Sequence, residues 1–407
     1  MTIGYDASRA FIKEKTGTET YSYRLLKAML ELSSSHSFRV YTRPDSFVVP
    51  EKVEDQRVPI DWQRLWTQGG LALETWKNSP DVLFIPAHVV PFLKNPRVPV
   101  VVTVHDLGLE YLPNYKNWKD KLYLGWIMER LRARLATHII AVSEATKRDI
   151  IQKLGVPEGK VSVVYEGVDE KFQPKADRPL GKSDLPLAEK VEEISMVKNR
   201  YGIEGEYILF VGTVQPRKNL TRLIEAFSMI ANNYESAATN DYKSICSKFD
   251  IHSLQLVIAG KLGWNYGEIL VAPRKFGVDP PAGEAGDKVK FLNYVPADDL
   301  PALYAGARAT CLPSLHEGFG LPVLESMAAG TPVVASNASS LPEVGGQVAE
   351  YVDPYDVNDI VRGIRRVLSW DNDERQHRIE QGEKWAAQFT WRRAAEETLG
   401  VLERAVA

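Results

Sequence analysis

Two glutamates, Glu317 and Glu325, stand eight positions apart in the stretch SLHEGFGLPVLESMAAG, residues 314–330. Paired carboxylates are tools of acid–base chemistry, so the first question is whether these form such a pair. Pro322 suits the start of a helix, where its missing N–H costs nothing. Gly330 and then Pro332 suit its end. The pattern predicts a helix over Pro322–Ala329, with Glu325 in its first turn and Glu317 on the preceding loop. On one continuous helix the two would lie ~12 Å apart along the axis. That is wide even for an inverting glycosidase pair, at about 6.5–9.5 Å. The asymmetry predicts different environments for the two groups. The N–H groups near Gly318–Leu321 face a helix start, where a phosphate or another anion is favoured. Glycines there let a ligand approach the backbone. The plain alternative is an acidic cap region on a surface helix.

A second stretch, FVGTVQPRKNL (Phe210–Leu220), ends an apolar run at Gly212 and carries Arg217 and Lys218 on a turn. Two cations beyond a strand suit a diphosphate, Arg as a planar fork and Lys as a point charge. The alternative is a solvated basic turn. In VTVHDLGLEY, His105 and Asp106 close an apolar strand. His105 is a candidate base or hydroxyl ligand; a satisfied structural histidine is the alternative. His88, after VLFIPA, is a weaker case. In KEKTGTETYSYRLL, Gly17 sits between the first strand and its helix, where a nucleotide-binding loop belongs. The G-x-G-x-x-G fingerprint and the Walker A sequence are both missing, which disfavours a dinucleotide cofactor.

Such residues need strands and helices to position them. Short β-branched runs alternate with helical patterns. The first half offers strands at Thr2–Asp6, Phe38–Thr42, Val82–Pro86, Val100–Val104, His138–Val142 and Val161–Tyr165. Its helical patterns are Thr20–Leu32, Lys119–Ala136 and Glu144–Leu154, the last behind Ser143 as N-cap. The second half offers strands at Tyr207–Val211, Leu254–Ala259, Val289–Leu292, Ala309–Leu312, Pro332–Ala335 and Ala349–Val352. Several runs are apolar almost throughout, as in strands buried on both faces of a parallel sheet. Two blocks of this alternation predict two doubly wound α/β domains, with ligands at the strand C-termini. The expected division is residues 1–175 with the final helix 386–407, a Pro/Gly-rich linker at 176–195, and residues 196–385. Asn232–His252 is expected to be a helix end and a loop insertion. In the tail, Trp391, Ala394, Ala395, Thr398, Leu399 and Leu402 share a helix face.

With 407 residues the chain is long enough for two sizeable cores. A net charge of -3 gives no global reason to expect nucleic acid. Two cysteines, Cys246 and Cys311, lack metal-ligand spacing and fit a reducing compartment. The first residues lack a signal-peptide pattern and no apolar run reaches membrane-spanning length. A cytoplasmic protein is expected. The segment Asn114–Ala136 is basic and carries Trp118 and Trp126. A peripheral contact at the cytoplasmic face of a membrane is therefore weighed against a packed helix with a solvated basic face.

Taken together and in this order, the motifs resemble the retaining family-4 glycosyltransferases of GT-B architecture. The resemblance is carried by Glu317…Glu325 within SLHEGFGLPVLESMAAGTPVVAS, by GTVQPRKNL, VHDLGLEY, AVSEATKRDI and VVYEGVDEKF. It implies two Rossmann-like parallel-sheet domains facing a central cleft, with the last helix crossing back to the first domain. The N-terminal domain would bind the acceptor, a glycan, lipid-linked or small-molecule hydroxyl. The C-terminal domain would bind a nucleotide-diphosphate sugar, and no metal or other cofactor would be required. Glu325 would bind the ribose hydroxyls and Glu317 would stand beside the sugar hydroxyls. Gly318, Phe319 and Gly320 would present backbone to the sugar, and Leu321 to the phosphates. Arg217 and Lys218, beyond Gly212, would stabilise the leaving diphosphate. Tyr294 and Val295 would hold the base, Gly17 would approach the diphosphate, and His105 would lie near sugar and acceptor. Two features depart from the family. Thr213 replaces a frequent Arg, and Gly17 is flanked by Thr16 and Thr18 where a second glycine is common. The competing readings are a glycoside phosphorylase or nucleotide-sugar epimerase on the same fold, and a non-catalytic nucleotide-sugar-binding protein.

Overall fold

The computed structural model describes residues 1–32, 36–43, 57–60, 65–87, 90–107, 133–172, 187–232, 245, 251–279 and 288–407. The chain divides into two units, Met1–Gly167 with Phe389–Ala407, and Val168–Gln388. Among the described residues no helix is long and apolar enough to cross a membrane.

The first unit is built on a parallel sheet of strands β1 (Thr2–Asp6), β2 (Ser37–Thr42), β3 (Arg57–Pro59), β4 (Val82–Ile85), β5 (Val100–Val104), β6 (His138–Ala141) and β7 (Val161–Val163). Their order is β3-β2-β1-β4-β5-β6-β7. Every residue of β4 and β5 is buried, as in a sheet covered on both faces. The order reverses at β1: β2 and β3 lie to one side, β4 to β7 to the other. Helix Glu144–Leu154 has the expected bounds, because the Ser143 hydroxyl accepts the Thr146 N–H at 3.0 Å and Gly155 closes it at φ 66°. Helix Gly17–Glu31 starts three residues before the expected Thr20. Glu19 reaches back to the Thr16 N–H at 3.1 Å and to the Thr16 hydroxyl, which anchors the earlier start. The final helix, Trp391–Val406, belongs to this unit and packs on the Gly17 helix. It buries Ala394, Ala395, Thr398, Leu399, Val401 and Leu402, while Trp391 is half-buried.

The second unit has strands β8 (Tyr207–Val211), β9 (Gln255–Ala259), β10 (Val289–Asn293), β11 (Ala309–Leu312), β12 (Val333–Ser336) and β13 (Glu350–Val352). All neighbours are again parallel, in the order β10-β9-β8-β11-β12-β13. This order reverses at β8, so β8 and β11 are neighbours although about 100 residues separate them. Beneath them, Ile208, Phe210, Leu223, Phe227, Leu256 and Ile258 form part of one buried core. That core fixes where the strand ends emerge.

The doubly wound parallel α/β class and eleven expected strands of near-identical bounds are borne out, β7 being shorter than expected. The sequence pattern did not reveal β3, a three-residue strand at the sheet edge that includes Pro59. Residues 187–195, assigned to the linker, lie in the helix Leu187–Arg200. Most of that linker, most of the 232–252 insertion, His88 and most of the basic segment 114–136 lie outside the described residues.

Candidate functional site

The reversal of sheet order at β8 sets two loops side by side, the one after β8 and the one after β11. In open α/β sheets this is where ligands bind. Gly212 leaves β8 at φ 151°, and its N–H donates to the Ala259 carbonyl at 2.9 Å. The neighbouring strand crowds it: a Cβ on Gly260 would stand 1.9 Å from the Gly212 oxygen. The chain then makes a 3-10 turn over Pro216–Lys218. Asn219 ends the turn at φ 60°, a conformation Asn tolerates. Its side-chain amide donates to the Pro313 carbonyl at 3.0 Å and the Pro354 carbonyl at 2.6 Å. The Leu315 N–H donates to the Arg217 carbonyl at 2.9 Å. The two loops are therefore tied by backbone before any charge is considered.

Glu317 is only 6% exposed and Lys218 only 7%. Lys218 Nζ lies 2.5 Å from Glu317 Oε1, and Arg217 Nη1 lies 3.1 Å from Oε2. The same Arg217 nitrogen donates to the His316 carbonyl at 3.0 Å. The Glu317 backbone is held as well: its N–H donates to Ser339 Oγ at 3.1 Å, and the Ser340 hydroxyl lies 3.0 Å from its carbonyl. Burial alone would raise the Glu317 pKa. The Lys218 and Arg217 charges, with the hydrogen bond from Lys218, override it and bring it to about 2. Glu317 is thus ionised at neutral pH and can accept hydrogen bonds but not deliver a proton.

The helix after this loop runs Leu321–Ala328, with Gly320 at its N-cap. Pro322 is its second residue, so Glu325 lies in the second turn and not in the expected first. Gly320 has φ 120°, and a Cβ there would stand 2.6 Å from Leu341 Cδ2. Residues 318–320 are buried, and Leu321 is partly so. Glu325 faces a different partner from Glu317: the Tyr304 hydroxyl donates to its Oε2 at 2.8 Å. Tyr304 is fully buried in the short helix Leu300–Ala305, and its ring meets Phe172 edge-on at 5.7 Å. The two glutamates therefore have separate partners, cations for one and a phenol for the other. After β10, Val295 is buried and Tyr294 half-buried, with Lys261 Nζ 4.8 Å from its ring centroid.

Around the ends of β8 and β11 the fold brings together Gly212, Arg217, Lys218, Glu317 and the Gly318–Leu321 backbone. Glu325 stands one turn into the helix, and Tyr294 and Val295 lie beyond β10 in the same unit. Gly17 and His105 belong to the first unit. Gly17 is exposed as the first residue of its helix, with no atom within 4 Å of an added Cβ. His105, after β5, is buried and has Glu166 and the Pro86 carbonyl at its ring nitrogens. Sequence reasoning gave no role to Tyr304, Ser339 or Ser340. Their partners lie 21 to 23 residues away across turns, so no local pattern marks them. Glu166 stands in a quoted motif, VVYEGVDEKF, but nothing in that motif points to a histidine 61 positions earlier.

The family described as Glycosyl transferases group 1 matches residues 192–385, and Glycosyltransferase Family 4 matches residues 15–172. The O-antigen chain mannosyltransferase B of Escherichia coli is 29% identical over 301 residues, 74% of this chain and 68% of that protein. An uncharacterized glycosyltransferase of Methanocaldococcus jannaschii is 30% identical over 316 residues, 76% of this chain and 70% of that protein. Among solved structures, HepE of Anabaena in complex with UDP and glucose superposes with a TM-score of 0.68 at 17% identity, covering 99% of this chain and 100% of that one. With both halves matched in order, and with the two parallel sheets found here, the chain belongs to the family-4 glycosyltransferases and has their GT-B fold.

Proposed function

We propose that this enzyme moves a hexosyl unit from a nucleotide-diphosphate sugar to a hydroxyl of a glycan, lipid-linked or small-molecule acceptor, with retention of configuration and without a metal. The observation that carries this reading is the buried Lys218–Glu317 pair, joined by the partly buried Arg217, beside the Leu321–Ala328 helix start. Charge develops on the leaving diphosphate during transfer. Preorganised cations and helix N–H groups at a dry site stabilise such charge most effectively. The two cations take the part a metal plays in other transferases. Glu317, held ionised, receives the sugar hydroxyls. Glu325, oriented by Tyr304, receives the ribose hydroxyls. Neither carboxylate moves a proton, so the leaving diphosphate assists deprotonation of the acceptor.

The mannosyltransferase relative makes a mannosyl donor the first to try. UDP- and GDP-linked hexoses are screened by thermal shift, and acceptors then by mass spectrometry. Product stereochemistry by NMR tests retention, and activity in excess chelator tests metal independence. Lys218→Ala and Glu325→Ala are each expected to cost at least about tenfold in kcat/KM, about 1.4 kcal/mol of transition-state stabilisation. Near-wild-type kinetics for both overturn the assignment. Turnover that needs free phosphate, or that proceeds with donor alone, points instead to a phosphorylase or an epimerase.

A further inference from the structure

His105 follows β5 and is buried in the first unit. Its Nε2 lies 2.8 Å from the Pro86 carbonyl oxygen, just after β4. A carbonyl only accepts, so Nε2 carries a hydrogen. Its Nδ1 lies 3.3 Å from Oε1 of Glu166, in the segment after β7. Two lone pairs do not face each other stably at that distance, so a proton lies between these atoms as well. Both ring nitrogens therefore have a partner, Glu166 at Nδ1 and the Pro86 carbonyl at Nε2.

Glu166 is fixed in its turn. It is buried, and the next residue is Gly167. A Cβ on Gly167 would stand 2.2 Å from the Trp391 nitrogen and 2.5 Å from the Thr390 carbonyl carbon. Only glycine fits, and the segment is seated against the start of the final helix. Around the imidazole the Gly17 helix supplies Tyr21, edge-on at 4.6 Å between ring centroids, its hydroxyl 3.1 Å from Thr103 Oγ1. The Glu144 helix supplies the Thr146 hydroxyl, 3.4 Å from the His105 carbonyl. Asp106 is the next residue in the chain. Among the described residues, the charged groups that act on the ring, Glu166 and Asp106, are acidic. Burial opposes the cation, but the Glu166 hydrogen bond and charge, the Pro86 carbonyl and Asp106 outweigh it, and the His105 pKa is raised above 6.5.

We propose that Glu166 is a positioning residue that holds His105 as a doubly hydrogen-bonded imidazolium, so that this strand end offers a fixed positive charge and not a base. The kinetic consequence rests on the glycosyltransferase reading; the protonation state does not.

The test has two arms. In the first, histidine ring nitrogens of the 15N-labelled full chain are followed by NMR against pH, with His105→Gln assigning the signal. Both His105 nitrogens should carry a proton at pH 6.5, with the midpoint above that value. Glu166→Gln should lower that midpoint by about a unit, and Glu166→Asp should restore part of it. A ring with one bare nitrogen at pH 6.5, or a midpoint indifferent to Glu166, overturns the proposal. If Glu166→Gln does not fold, the wild-type ring and Glu166→Asp decide. In the second arm, kcat falls as pH rises through the His105 midpoint, and the Glu166 variants move that limb with it while KM changes little. A limb that rises through the midpoint shows a working base and overturns the proposal. Failure to find any donor and acceptor pair defeats the glycosyltransferase reading and leaves the NMR result standing.

Discussion

Lys218 and Glu317, 99 positions apart, meet at 2.5 Å in the interior of the second unit. Their encounter follows from sheet order. The reversal at β8 makes β8 and β11 neighbours, and each residue lies on the loop that leaves its strand. Removing one member of a buried ion pair leaves the other charge in a poorly solvated place, at a cost of about 3–5 kcal/mol. Arg217 remains beside Glu317, so the lower end, about 3 kcal/mol, is expected for Lys218→Ala in urea denaturation. Replacing both by apolar groups, Lys218→Met with Glu317→Leu, should recover most of that stability and none of the activity. A double variant as unstable as Lys218→Ala alone would show that packing, not the stranded charge, sets the cost.

The same cluster makes stability depend on pH. The folded Glu317 pKa is about 2, against 4.5 for the ordinary group. A depressed carboxyl pKa contributes stability that is present above the unfolded value and lost as pH falls through the folded one. Wild-type stability should therefore decline between about pH 4.5 and about pH 2. Glu317→Gln removes this contribution, so its curve should lie lower at neutral pH and converge with the wild type in acid. Denaturant titrations across that range check it. Parallel curves would mean that Glu317 is not held ionised by its cations.

Much of this framework is legible in the chain because fully buried parallel strands read as apolar runs such as Val100–Val104, and helix ends carry their own chemistry. Ser143 caps one helix as expected, and the helix has the expected bounds Glu144–Leu154. Two helix starts differ from the sequence pattern. The Thr16–Glu19 capping pair starts its helix three residues before Thr20, and Pro322 is the second residue of its helix and not the first. The pairing of side chains was not legible. Nothing near Glu325 in the sequence announces the Tyr304 hydroxyl, and nothing near His105 announces Glu166. Those meetings depend on strand order and on close approaches that only the folded backbone reveals.

Gly260 marks one such approach. A Cβ there would overlap the Gly212 oxygen at 1.9 Å, and the obstacle is backbone, not the end of a flexible side chain. Relief requires moving the end of β8 or of β9. Gly260→Ala should destabilise the protein by about 2 kcal/mol or more, well beyond an ordinary surface substitution. It should also weaken nucleotide binding, because Gly212 leads into the Arg217–Lys218 turn. Gly17→Ala, at an exposed position with no atom within 4 Å of the new Cβ, is the matched control and should keep its melting temperature. Equal stability of the two variants would refute the crowding argument.

Tyr304 offers the sharpest separation of binding from chemistry. Its hydroxyl donates to Glu325 Oε2 at 2.8 Å, while its ring is fully buried against Phe172. Tyr304→Phe keeps the ring and deletes only the donor. The Glu325 carboxylate is partly exposed, so water can replace the lost hydrogen bond and the protein should lose only about 1 kcal/mol or less of stability. The carboxylate also loses a hydrogen-bond donor that orients it, and the cost then falls on whatever Glu325 holds. If that is the ribose, affinity for the nucleotide diphosphate should fall by about fivefold, the equivalent of about 1 kcal/mol. The saturated rate should hardly change, since the ribose is held alike in ground and transition states. Isothermal titration with UDP and GDP, set beside kcat and KM, reads this out. A variant that lowers kcat with KM unchanged would place Glu325 at the reacting centre and reverse the roles assigned to the two glutamates.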